Sequence, residues 1–142
     1  MRLPVDSSVF IAALKGGEIY SANARTFFRS SRESETIVVP LTVVVEIGAA
    51  LRRYTGNSSL AKQAVGSLKS WESVQIVEDF SLIRESLFTI ASTSGLRGMD
   101  AIVLGMAFAY ELPLLTFDRA IIRLGNRFVR IVSIEEALND FD

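Results

Sequence analysis

Apolar positions along the chain alternate between two patterns. Short β-branched runs at Leu3–Val5, Thr36–Val39, Val74–Val77, Leu114–Phe117 and Val129–Val132 predict strands. Between them the apolar residues take helical spacing, over Val9–Leu14 (stopped by Gly16-Gly17), Ile19–Arg32, Leu41–Tyr54 behind Pro40, Ser59–Trp71 behind Gly56-Asn57, Leu82–Ser92 and Met99–Glu111. A turn of helix after Asp118 and a helical tail over Ile134–Leu138 complete the series. Strands that alternate with helices, and are short enough to be buried on both sides, predict an α/β fold: a central parallel sheet of about five strands with helices on both faces. Ligands of such open sheets bind beyond the carboxyl ends of the strands, where strand order reverses. Asp6 follows the first run and Asp118 the fourth, so both are expected on that rim.

The 142 residues suit a single domain, residues 1–142, with no linker or internal repeat. Two zeros are more decisive, because the chain has neither Cys nor His. Disulfides, thiol nucleophiles, Ser-His-Asp and Cys-His hydrolases and His-ligated zinc are all excluded. Carboxylates, hydroxyls, lysines or a bound cation must carry any chemistry. Asp6 interrupts the start before a secretory apolar run could form. The longest apolar stretch, Ala101–Tyr110, is ten residues, well short of the roughly 20 of a membrane helix. The expectation is a cytoplasmic protein without membrane contact.

Asp6, Asp100 and Asp118 each stand at the start of a predicted helix, where capping or the helix dipole would suffice to explain an acid. Glu46 is different. It interrupts the apolar run Val43-Val44-Val45-Glu46-Ile47 in mid-helix, with Thr42, Val43, Ala49 and Ala50 as its helical neighbours and no basic residue among them. Such a carboxylate must reach solvent, pair with a distant Arg or bind a cation. Four carboxylates with no imidazole or thiolate favour hard cations, above all Mg²⁺ or Mn²⁺. Setting these four acids aside from the formal net charge of −1 leaves +3 on the remainder, surroundings that a phosphodiester could tolerate. Twelve of the fifteen basic residues are Arg, whose guanidinium fork suits phosphates.

The motifs Val5-Asp6-Ser7-Ser8-Val9, Pro40-Leu41-Thr42-Val43-Val44-Val45-Glu46-Ile47, Gly98-Met99-Asp100-Ala101-Ile102-Val103 and Pro113-Leu114-Leu115-Thr116-Phe117-Asp118 occur in this order along the whole chain. Together they resemble the PIN domain, and in particular the VapC-type ribonuclease toxins of toxin–antitoxin pairs. The resemblance implies a PIN-like three-layer sandwich in which Asp6, Glu46, Asp100 and Asp118 form the catalytic site. Asp6, Asp100 and Asp118 would be ligands of one or two Mg²⁺ or Mn²⁺ ions, and Thr116 would steady the cluster by hydrogen bonding. Where relatives often carry Phe three residues after the last Asp, this chain has Ile121, which is still apolar. Arg97 and Arg119 would contact an RNA phosphate, and Arg25, Arg29 and Arg32 recur on one helix face. The implied partners are a small VapB-like antitoxin, the RNA substrate and a second copy in a homodimer. A mean hydropathy of +0.34 adds an independent reason to expect spare apolar surface, with Leu68, Trp71, Leu82, Ile83, Leu87 and Phe88 as candidates.

A phosphoaspartyl phosphatase would place an Asp two residues after Asp6, where Ser8 stands. A receiver domain would need a Lys near the last strand, and none lies beyond Lys69. A DNase, an RNA-processing nuclease and a binding module whose acids only cap helices stay open as alternatives.

Overall fold

The computed structural model describes residues 2–31 and 36–140. In chain order the elements are β1 (Arg2–Pro4), α1 (Ser7–Lys15), α2 (Ser21–Ser30), β2 (Thr36–Pro40), α3 (Leu41–Thr55), α4 (Ser58–Ser70), β3 (Val74–Val77), α5 (Arg84–Thr93), α6 (Gly98–Ala109), β4 (Leu114–Leu115), α7 (Arg119–Gly125), β5 (Ile131–Val132) and α8 (Ile134–Asp140). Arg32, the expected end of the second helix, lies outside the described residues.

All strand pairing is parallel, but the strands do not form one sheet of about five. A three-stranded sheet, β1-β2-β3, stands beside a two-stranded sheet, β4-β5. A single bridge, Val5 to Leu115, joins them, with Asp6 N donating to Leu115 O at 2.9 Å. Proline explains why that junction is so short. Val5 N donates toward β2, to Val38 O, and Asp6 N toward β4. The preceding position on the β4 side is Pro4, which has no N–H to offer. On the far side of the bridge, side chains take the ladder's donors: Phe117 N donates to Ser8 Oγ at 2.9 Å and Asp118 N to Thr116 Oγ1 at 3.0 Å. The expected strand Leu114–Phe117 is therefore only two residues long.

Strand order runs outward from β1 through β2 to β3 and then restarts on β1's other flank with β4. The switch of direction thus falls between β1 and β4, and the residues following these strands are Asp6 and Thr116 to Asp118. The helices begin where the local chemistry allows. Pro40, extended at φ −74°, ends β2 and leads directly into α3, whose N-terminal orphan N–H groups make proline harmless there. Gly56 closes α3 in the left-handed conformation at φ 66°, and Asn57 Oδ1 caps α4 by accepting from Leu60 N at 3.1 Å.

The main core cluster includes Val5, Val9, Ile37, Ile47, Leu104, Leu114 and Leu115, all fully buried, with Phe10, Phe27 and Phe28, and a smaller cluster gathers Val38, Val77, Ile83, Leu87 and Met106. α5 and α6 cross closely at Gly105, where an added Cβ would stand 2.8 Å from Leu87 Cδ2 and 3.2 Å from Leu87 Cα. The six apolar residues expected at the surface divide. Leu68, Ile83 and Leu87 are buried and Trp71 packs partly buried against the core, whereas Leu82 (98 % exposed) and Phe88 (61 %) face solvent. Among the described residues no helix is long and apolar enough to cross a membrane.

Candidate active site

Asp6 is the pivot of the strand-order switch. Only 3 % of its surface is exposed, and its hydrogen bonds converge on one oxygen. Oδ2 accepts from Ser8 Oγ at 2.7 Å and from Thr116 Oγ1 at 2.9 Å, with a longer bond from Ser8 N at 3.4 Å. The two hydroxyls stand 3.4 Å apart, but each has a single proton and both protons are committed to Asp6, so their mutual contact adds little. Each hydroxyl also accepts a backbone N–H, Ser8 from Phe117 and Thr116 from Asp118. A side-chain lattice thus ties the end of β1 to the end of β4, with the oxygen Oδ1 of Asp6 outside it.

Asp118 follows this lattice and caps α7, its Oδ1 accepting from Ile121 N at 3.0 Å. Asp6 caps α1 in the same sense. Capping therefore accounts for part of the placement of both residues, yet it uses only one oxygen of each carboxylate. Asp100 occupies the first turn of α6, beside Arg97 at its N-cap position. Glu46 lies in mid-α3, half-buried, and has no ion-pair partner among the described residues. One turn earlier on the same helix, Thr42 Oγ1 is buried with no hydrogen-bond partner.

Each of these four carboxylates feels the charge of others in the set. Burial, followed by repulsion from Asp6 and Asp100, pushes Glu46 up to about 7, with Asp118 adding to the effect. Burial, followed by Asp118 and Asp6, pushes Asp100 up to about 6 against the opposing pull of Arg97. Asp6 is also raised, by burial first, although Ser8 and Thr116 favour its anion, and Asp118 contributes repulsion. All four acids thus lie in one another's field, and Arg97 in that of Asp100. Among the described residues, however, no three acidic side chains are arrayed in a coordinating geometry. The donor set is nevertheless suited to a hard divalent cation: carboxylate and hydroxyl oxygens only, with excess negative charge that burial makes costly.

The two expected phosphate contacts, Arg97 and Arg119, are both exposed on this rim. Arg25 is engaged elsewhere, donating from Nε to Ala13 O at 2.8 Å at the end of α1, and Arg32 lies outside the described residues. Ser8 is absent from the residues the sequence singles out, although its hydroxyl holds Asp6. The signal for it is the run Asp6-Ser7-Ser8 itself.

The model of the family described as PIN domain matches residues 4–127, and the chain belongs to that family. Its fold is similar to that of VapC20 from Mycobacterium tuberculosis, described as a sarcin-ricin loop cleaving toxin (TM-score 0.72, 17 % identity, covering 91 % of this chain and 98 % of that one). It is similar to VapBC2 from Rickettsia felis bound to a DNA fragment from its promoter (0.72, 11 %, 94 % and 98 %). It is also similar to PAE2754 from Pyrobaculum aerophilum (0.71, 19 %, 99 % and 95 %). Comparison with curated proteins gives no match.

Proposed function

We propose that this protein is a divalent-metal-dependent endoribonuclease and the toxin member of a toxin–antitoxin pair. The observation that carries the reading is the placement of Asp6 at the strand-order switch, tied to Thr116 and sharing a field with Glu46, Asp100 and Asp118. Membership of the PIN family and likeness to VapC20, a cleaving toxin, support it.

Asp6, Asp100 and Asp118 would hold Mg²⁺ or Mn²⁺. Such an ion supplies positive charge against the scissile phosphate and lowers the pKa of water. Ser8 and Thr116 fix the carboxylate of Asp6 so that its geometry is set before substrate arrives. Glu46, half-buried in the field of these three acids, would orient the attacking water and accept its proton. Arg97 and Arg119 offer exposed guanidinium groups to the RNA phosphates. No imidazole is needed in this scheme, in agreement with the composition.

The reading includes a small VapB-like antitoxin as partner, as in the VapBC2 assembly, with a homodimer as the background state. Leu82 and Phe88 are exposed apolar residues that a partner could cover, and a basic side chain of the antitoxin placed among the carboxylates would compete with the metal.

The test is cleavage of single-stranded RNA and of DNA with Mg²⁺ or Mn²⁺ and after exhaustive EDTA treatment. RNA cleavage that disappears with EDTA and with Asp6→Asn supports the reading. Cleavage surviving EDTA, or confined to DNA, overturns it. Co-expression with the adjacent gene checks the pairing, since a harmless protein that binds no product of that gene is not half of a toxin pair.

A further inference from the structure

Phe117 stands between Thr116 and Asp118 in the chain, and its backbone is fixed by the hydrogen bond from its N–H to Ser8 Oγ. Its partly buried ring meets the ring of Tyr20 with centroids 4.9 Å apart and planes inclined by 31°. Tyr20 is 44 % exposed, although Phe10, Phe27 and Phe28 are all buried. It occupies the N-cap position of α2 without making a capping hydrogen bond. Ser, Thr, Asp or Asn would serve that position better, so helix initiation does not explain a tyrosine there. A half-exposed aromatic pair is thus joined, through Phe117, to Thr116, which holds Asp6, and to Asp118 on its other side. Arg119, exposed at the first position of α7, lies two residues further along.

We propose that Tyr20, backed by Phe117, is a stacking platform for one unpaired nucleobase of the RNA, adjacent to the scissile phosphate; this rests on the ribonuclease reading above. Unpaired RNA bases are read by stacking on aromatic rings, whereas a base inside a duplex has no free face to offer. The ring supplies a flat, polarisable surface for the base, and the Arg119 guanidinium a contact for the neighbouring phosphate. Since Phe117 is contiguous with Thr116 and Asp118, a nucleotide held here sets the register of the chain relative to the carboxylates. The platform therefore gives a preference at one position next to the cut, governed by stacking strength. Ile19, 92 % exposed beside Tyr20, separates this occupant from another. An apolar protein segment covering the patch would bury Ile19, but a single stacked base need not.

The experiment compares wild type, Tyr20→Ala, Tyr20→Phe and Ile19→Ala on single-stranded RNA oligonucleotides in Mn²⁺, with one series made abasic at each position around the cut. Thermal unfolding confirms that each variant is folded. Tyr20→Ala is expected to raise KM between about fivefold and 150-fold, the range of one base–aromatic stack, while kcat changes less. Tyr20→Phe should retain wild-type behaviour, and Ile19→Ala should be neutral. At one abasic position the difference between wild type and Tyr20→Ala should vanish. A folded Tyr20→Ala with unchanged KM and cut-site preference overturns the platform while leaving the ribonuclease reading intact. So does a Tyr20→Ala that cleaves normally but loses binding of a protein partner together with Ile19→Ala. A wild type that cleaves no RNA overturns both.

Discussion

Thr116 reaches Asp6 across 110 positions of sequence, donating from Oγ1 to Oδ2 at 2.9 Å. The same Oγ1 accepts from Asp118 N, so one hydroxyl orients two acids that stand at the ends of different strands. Thr116→Val preserves the side chain's shape and removes both functions. Leaving the buried Asp6 carboxylate short of a donor should cost about 1–3 kcal/mol, while Thr116→Ser should recover most of it. Chemical denaturation of the two variants measures the difference, and equal stability of Val and Ser would show that the bond contributes nothing.

Asp6→Asn and Asp100→Asn should fold yet lose divalent-dependent RNA cleavage, because each exchanges an anionic oxygen donor for a neutral amide of nearly the same shape. Calorimetric titration with Mn²⁺ is expected to show weaker binding for each. A variant that retains both cleavage and ion affinity would remove that residue from the ligand set.

The raised acids predict how stability depends on pH. Glu46 is raised from 4.5 to about 7 and Asp100 from 3.8 to about 6, so over that interval the folded chain binds more protons than the unfolded chain. Stability from these groups is fully present below about pH 4 and is lost as pH rises through 6 and 7. In EDTA, the melting temperature of wild type should fall relative to Glu46→Gln between pH 5 and pH 8, with the variant the more stable at the upper end. Mn²⁺ at pH 8 should raise the wild type more than the variant. A pH-independent difference between the two proteins would contradict the shared field.

Gly105→Ala sets two effects against each other. Alanine gains roughly 1 kcal/mol of helix propensity over glycine, but its Cβ would meet both the Leu87 side chain at 2.8 Å and the Leu87 backbone at 3.2 Å. Backbone cannot yield as a side-chain tip can, and overpacking of this kind costs typically about 1–3 kcal/mol. The expected result is net destabilisation with α5 and α6 pushed apart, measurable by thermal unfolding. A more stable variant would show that the helices can separate at little cost.

Much of this was legible in the order of residues. β-branched runs between helical patterns reported parallel α/β architecture because strand and helix periodicities are local properties. The missing His and Cys restricted the chemistry before any fold was known. Glu46 could be singled out as a candidate because a lone carboxylate in an apolar helix has few inexpensive explanations, and Asp6, Asp100 and Asp118 because they stand in motifs that resemble those of the PIN family. What the sequence could not settle depends on pairing between distant segments. The division into three and two strands followed from Pro4's missing N–H facing β4, and from Ser8 and Thr116 taking the donors that would have prolonged the ladder. Whether Leu87 or Phe88 would be buried depended on how closely α5 approaches Gly105, which the helical pattern of α5 alone does not encode. Tyr20 falls inside the predicted helix Ile19–Arg32, whose pattern gives it no role of its own. Only the tertiary structure brought it onto Phe117, whose backbone is held by Ser8 where the end of β1 and the start of α1 meet the end of β4.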